Sequence, residues 1–184
     1  LLVCASTRGG DGGQITSTAI VGTTLVLLYT ASTLYHSFRD ESLKRTLRKF
    51  DHAAIFLLIA GSYTPFVLVT LRGPWGWSLF GVVWGLAVVG IVLKFWFAGR
   101  FKAVSTGIYL GMGWLVLIAL KPLLAALPWA GFLWLIAGGA CYSVGAVFYL
   151  WKTLPYQHAI WHLWVLAGSG CHWVAVFGYV VTGS

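Results

Sequence analysis

The run from Trp129 to Trp151, WAGFLWLIAGGACYSVGAVFYLW, contains no charged side chain. A bilayer core asks for roughly 20 consecutive apolar residues of helix. This run supplies them between two indoles, which favour the headgroup level. The rest of the chain has the same character. Its 184 residues are 59% hydrophobic and 9% charged, with mean hydropathy +0.86, whereas a soluble domain has about 25% charged residues. A water-soluble globule is excluded. Because backbone in lipid must satisfy its own hydrogen bonds, the sequence predicts an all-α, polytopic transmembrane bundle.

On the C-terminal side, Lys152-Thr153-Leu154-Pro155 leads into a last span, Tyr156 to Val181. On the N-terminal side lie Ala103 to Leu120, with Lys121-Pro122 and Pro128 bracketing a turn, and Trp75 to Phe97, closed by a short basic loop over 98–102. Before them come Phe50 to Leu71, with a kink expected at Pro65, and Gln14 to Phe38. Arg39 to Lys49 is the most charged segment and reads as a connection. Thr7 to Gly13 is a glycine-rich loop, and Leu1 to Ser6 reads as the tail of a first helix whose beginning is missing. The expectation is a single transmembrane domain over 1–184: a seven-helix bundle lacking most of its first helix, with no cleavable signal peptide. Cys4, Cys141 and Cys171 have no metal-type spacing and read as buried thiols.

The net charge is +8. In a soluble protein that would suggest nucleic acid. Here the basic residues sit between apolar runs, so nucleic acid is not an expected partner and the positive-inside bias explains them. One side holds Arg39, Lys44, Arg45, Arg48, Lys49, Lys94, Arg100, Lys102 and Lys152; the other holds only Arg8, Arg72 and Lys121. The first side is expected in the cytoplasm, with Ser184 outside and the protein in a bacterial inner membrane.

That orientation puts ionisable residues of three spans at one depth, just inside the cytoplasmic leaflet. His36 lies three residues before Arg39, Asp51 two after Lys49, and His158 six after Lys152. An ionisable group in a span is costly, by roughly 2.5–3.5 kcal/mol for a central Asp. In Tyr156-Gln157-His158-Ala159-Ile160-Trp161-His162, two histidines stand four residues apart, on one face of a helix. Such a pair can bite one metal ion. The zinc-protease version carries a glutamate after its first histidine; here that position is Ala159, so the base must come from elsewhere.

Three neutral imidazoles with one open position make a catalytic zinc site, and His36, His158 and His162 can supply them. Zinc would lower the pKa of a bound water toward about 7 and generate a hydroxide nucleophile. Asp51 is the candidate base for that water. Ser32, one turn deeper on the face of His36, is the candidate donor to the water or an oxyanion. Each residue also has a plainer reading. The histidines would be solvated at the headgroups, Asp51 would cap its helix or pair with Arg48 or Lys49, and Ser32 would bond the carbonyl four residues earlier. His52, about 100° from Asp51 around the helix, reads as interfacial. His172 lies about 15 Å deeper than His162, too far to share a metal, and is expected to hydrogen-bond inside the bundle or line a cavity. Gly81-x-x-x-Gly85 and Gly107-x-x-x-Gly111 read as small-residue packing faces; the oligomeric state is not readable.

Ser32-x-x-x-His36, Phe50-Asp51-His52 and His158-x-x-x-His162, in that order, resemble the signature of the hemolysin III family. Leu28 to His36 and Gly61-Ser62-Tyr63-Thr64-Pro65 are also similar to its members. This family is the bacterial branch of the progestin and adipoQ receptor superfamily, which includes the adiponectin receptors. The resemblance covers essentially the whole chain. It implies seven transmembrane helices with the N-terminus inside. It also implies a zinc ion near the cytoplasmic leaflet on the residues matching His36, His158 and His162, a water between zinc and Asp51, and Ser32 nearby. Because the wider superfamily includes alkaline ceramidases, it implies a zinc-dependent lipid amidohydrolase. The family name comes from haemolysis, and its bacterial members are linked to membrane homeostasis.

Two functions therefore compete. One is a membrane-embedded zinc hydrolase cleaving an amide or ester bond in a lipid. The other is a non-enzymatic lipid sensor, transporter or pore with a structural zinc. Membrane lipids are the expected partners of both.

Overall fold

A computed structural model describes residues 11–97 and 102–183. Every regular element among the described residues is helical: α1 (Gly12–Ser37), α2 (Glu41–Pro65), α3 (Pro74–Phe97), α4 (Lys102–Trp114), α5 (Leu120–Ala126), α6 (Trp129–Leu150) and α7 (Gln157–Val176). A π-helical turn, Phe66–Thr70, extends α2, and another, Phe177–Val181, extends α7; a 3₁₀ turn, Leu115–Ala119, joins α4 to α5. With these extensions six helices are long and apolar enough to cross a membrane. The tail expected over Leu1–Ser6 and the basic loop over 98–101 lie outside the described residues.

The chain forms two compact units, Leu1–Phe101 and Lys102–Ser184. In the first, α2 packs against both α1 and α3 and is the most enclosed span. A Cβ at Gly61 would collide with Thr24, so glycine lets α2 approach α1 closely. Leu28 of α1 and Ala54 and Leu58 of α2 form a buried cluster beside them. On the other side of α2, Phe56 packs onto Gly90 of α3, and the Trp84 indole donates to Thr64 at 3.3 Å. The far end of this unit is tied by an ion pair between Asp11 and Arg72.

In the second unit, α6 and α7 are antiparallel neighbours, with α4 against α6. Gly138 of α6 faces the His172 ring, and Gly168 of α7 faces Tyr142. The Trp114 indole donates to Ser143 at 3.0 Å. Tyr142 and Ser169 share a hydrogen bond of 3.0 Å. Large apolar side chains such as Val88, Val89, Ile118 and Leu163 face outward, as lipid solvation requires.

Three expectations are corrected. The helix that carries the second span begins at Glu41, upstream of Phe50, because Asp40 caps it by accepting from the Leu43 N–H at 2.7 Å. The charged segment is therefore mostly helix. Lys121 and Pro122 do not form a turn but sit in the first turn of α5, where proline forfeits an N–H that has no intrahelical partner anyway. At Pro65, where a kink is expected, the α-helix passes into the π-helical turn. Gly81, Gly85, Gly107 and Gly111 pack against nothing: a Cβ on any of them meets no described atom within 4 Å. The close helix approaches fall at Gly61, Gly90, Gly138 and Gly168 instead.

Candidate metal centre

The first unit holds Ser32, His36 and Asp51. Asp51 lies ten residues inside α2, whose cap is Asp40. The capping role open to Asp51 in sequence is thereby removed, and no ion pair joins it to Arg48 or Lys49. Its carboxyl is half-buried, with the Ser32 side chain within hydrogen-bonding reach. Two polar groups from neighbouring spans thus answer each other at the level where α2 enters its apolar stretch. His36 stands in the last turn of α1 and is exposed. Its ring meets Tyr35 edge to face, 4.7 Å between centroids, and the Lys44 ammonium lies over the Tyr35 ring at 5.8 Å.

The second unit holds the histidine pair. The connection from α6 passes through Tyr156, whose backbone is left-handed (φ 58); this side chain is 85% exposed. α7 begins at Gln157. With its amide nitrogen turned toward the end of α6, Gln157 donates to the carbonyls of Phe148 (2.8 Å) and Tyr149 (3.2 Å). Carbonyls at a helix end lack intrahelical donors, so this contact fixes where α7 starts. One residue later, His158 and His162 stand on one face, half-buried. Their Nε2 atoms are 3.1 Å apart and their rings nearly perpendicular, at 89°.

That separation tests the fit of a metal. Two nitrogens bound at roughly 2.0–2.1 Å in a tetrahedral site stand about 3.3 Å apart. The His158–His162 pair is within a few tenths of that spacing. The donor set is nitrogen-only, as zinc accepts.

The remaining ionisable groups are placed elsewhere. His172 Nε2 meets the Leu135 carbonyl at 3.3 Å and its ring packs against Tyr142; it belongs to the α6–α7 seam, as expected. His52 is half-buried, with Nδ1 shielded from solvent. Lys94, counted in the sequence only as a rim charge, is buried. Its position four residues after Gly90, on the face that receives Phe56, was the available signal. Cys141 and Cys171 are free thiols, part-buried rather than fully enclosed, while Cys4 lies outside the described residues.

The haemolysin-III related family matches residues 1–173. The chain is similar to Hemolysin-3 of Bacillus cereus, with 46% identity over 98% of this chain and 83% of the relative. It is also similar to a Hemolysin-3 homolog of Bacillus subtilis (strain 168), with 49% identity over 88% of this chain and 76% of the relative. The human monocyte to macrophage differentiation factor is 29% identical over 88% of this chain and 69% of its own length. No solved structure matches the chain. The six apolar spans, the ordered Ser-His, Asp and His-His motifs, and these matches place the chain in the haemolysin III-related family of integral membrane proteins.

Proposed function

We propose that His36 joins His158 and His162 to hold one zinc ion, and that the chain is a lipid hydrolase, ceramidase-like in chemistry, cleaving an amide or ester bond at the cytoplasmic leaflet of a bacterial inner membrane. The observation that carries this reading is the 3.1 Å approach of the His158 and His162 Nε2 atoms. Bound there, the ion supplies Lewis acidity and makes a water a nucleophile near neutral pH. Asp51 accepts the proton that this water gives up and passes it to the leaving amine or alcohol. Ser32 holds the Asp51 carboxyl in one orientation. The apolar surfaces of the spans admit substrate from the bilayer, so scission removes an acyl chain where it already lies. Products that stay in the membrane fit a part in membrane homeostasis.

The test is acyl release by purified protein in lipid discs offered N-acyl sphingoid and ester lipids. Release is expected from wild type and is expected to vanish in His158→Ala. Equal release from the two proteins would reject the reading. The name Hemolysin-3 of the relatives favours a second reading, a membrane-permeabilising protein with structural zinc. It predicts dye leakage from vesicles that survives Asp51→Asn.

A further inference from the structure

The α2–α3 seam carries a second polar cluster, separate from the histidines. Phe56 of α2 packs on Gly90 of α3, and Phe50 meets Phe95 edge to face at 5.4 Å between centroids. These two contacts fix the register of the antiparallel pair. Four residues from Phe56 toward the rim is His52; four from Gly90 in the same direction is Lys94. Residues four apart share a helix face, so His52 and Lys94 face each other across the seam. Arg48 is the next member of the row on α2.

Lys94 is 6% exposed. The Arg48 Nε is shielded from solvent and has no hydrogen-bond partner. An orphaned buried donor calls for an acceptor. Asp51, the nearest carboxyl on α2, has Ser32 of α1 as its partner and is turned about 100° from His52. The row thus offers a guanidinium, an imidazole and an ammonium, and asks for an anion rich in acceptor oxygens. Guanidinium and ammonium together suit phosphate. Phe50 and Phe95 at the mouth are 49% and 39% exposed, which gives apolar surface beside the charge. A free ion has no use for that surface, whereas a glycerolipid does. Basic pockets between spans at the cytoplasmic rim bind lipid headgroups in this way.

We propose that the α2–α3 seam at Arg48, His52 and Lys94 binds the phosphate of an anionic phospholipid. The alkyl stem of Lys94 lies in the seam while its ammonium serves the headgroup. The plainer role for Lys94 is to face the C-terminal carbonyls of its own helix, in whose last turn it lies.

The experiment compares thermal midpoints in vesicles of phosphatidylcholine alone and with a minor fraction of phosphatidylglycerol. The anionic lipid is expected to raise the wild-type midpoint by about 2–4 °C. Arg48→Gln and Lys94→Gln are expected to abolish that increment, while Arg45→Gln, at an exposed position of the same helix, keeps it. An increment surviving in both seam variants, or lost equally in Arg45→Gln, overturns the site. Lys94→Gln lowering the midpoint equally in both vesicles leaves only the helix-end role and also overturns it. Inorganic phosphate reproducing the increment in phosphatidylcholine overturns the lipid as ligand. Should the variants not fold, native mass spectrometry of wild type from a lipid mixture decides: preferential retention of phosphatidylglycerol supports the site, and equal retention of both lipids rejects it.

Discussion

The Ser32 side chain on α1 stands within hydrogen-bonding reach of the Asp51 carboxyl on α2. A carboxyl held this way inside a span is costly, and it is not spent on capping, because Asp40 does that. Asp51→Asn is expected to reduce lipid turnover by about 10²–10⁴-fold with zinc content and helicity unchanged. Wild-type turnover in the purified variant would remove Asp51 from the chemistry.

Capping gives the complementary prediction. Asp40→Ala removes the acceptor for the Leu43 N–H and is expected to cost about 1 kcal/mol, or about 2–4 °C in the midpoint. Turnover at a temperature where the variant is folded should be unaffected. A midpoint unchanged by Asp40→Ala but lowered by Asp51→Asn would return the cap to Asp51.

The hydropathy of the chain made six spans and the all-α class legible, because each run is long enough to need no tertiary information. The motif residues were legible for the same local reason: His158 and His162 are four apart on one helix. What was not legible depended on competition between segments. Arg39 to Lys49 looked like a loop because it is charged, yet Asp40 followed by Glu41 is an N-terminal signal that outweighs polarity. Pro122 looked like a stop, but a first-turn proline costs a helix little. The packing glycines could not be told from the idle ones, since Gly61 and Gly81 differ only in what stands opposite. The burial of Lys94 depended on the α2–α3 register, which no single segment encodes.

On the proposed reading, Ser32 acts through Asp51 rather than on substrate. Ser32→Ala is expected to lower kcat about tenfold, the equivalent of about 1.4 kcal/mol for a hydrogen bond to a charged group, with KM unchanged. Ser32→Thr, which keeps the hydroxyl, should recover most of it. A rise in KM at constant kcat would instead make Ser32 a substrate contact.

Gly138 and His172 form the tightest point of the α6–α7 seam. Because a Cβ at Gly138 would overlap the His172 ring, Gly138→Ala is expected to cost about 1–3 kcal/mol. In a His172→Ala background the same substitution should cost much less, a coupling that a double-mutant cycle reads directly. Equal penalties in both backgrounds would contradict the packing described.

Asp11, outside the spans, accepts from the Gln14 N–H at 2.9 Å and pairs with Arg72. The Gln14 N–H first and the Arg72 guanidinium second hold its carboxyl below the ordinary value of 3.8. A carboxyl with a depressed folded pKa adds stability above its unfolded pKa and loses it as pH falls through the folded one. The small midpoint difference between wild type and Asp11→Ala should therefore be constant near neutrality and shrink only below about pH 4. A difference that grows with acid would contradict the pairing.

The shared ion is tested most directly by elemental analysis of protein purified without added metal. Close to one zinc per chain is expected in wild type and in Asp51→Asn, and loss of that zinc in His36→Ala, His158→Ala and His162→Ala alike. Wild-type protein free of zinc, or a His36→Ala variant that keeps its full complement, would contradict it.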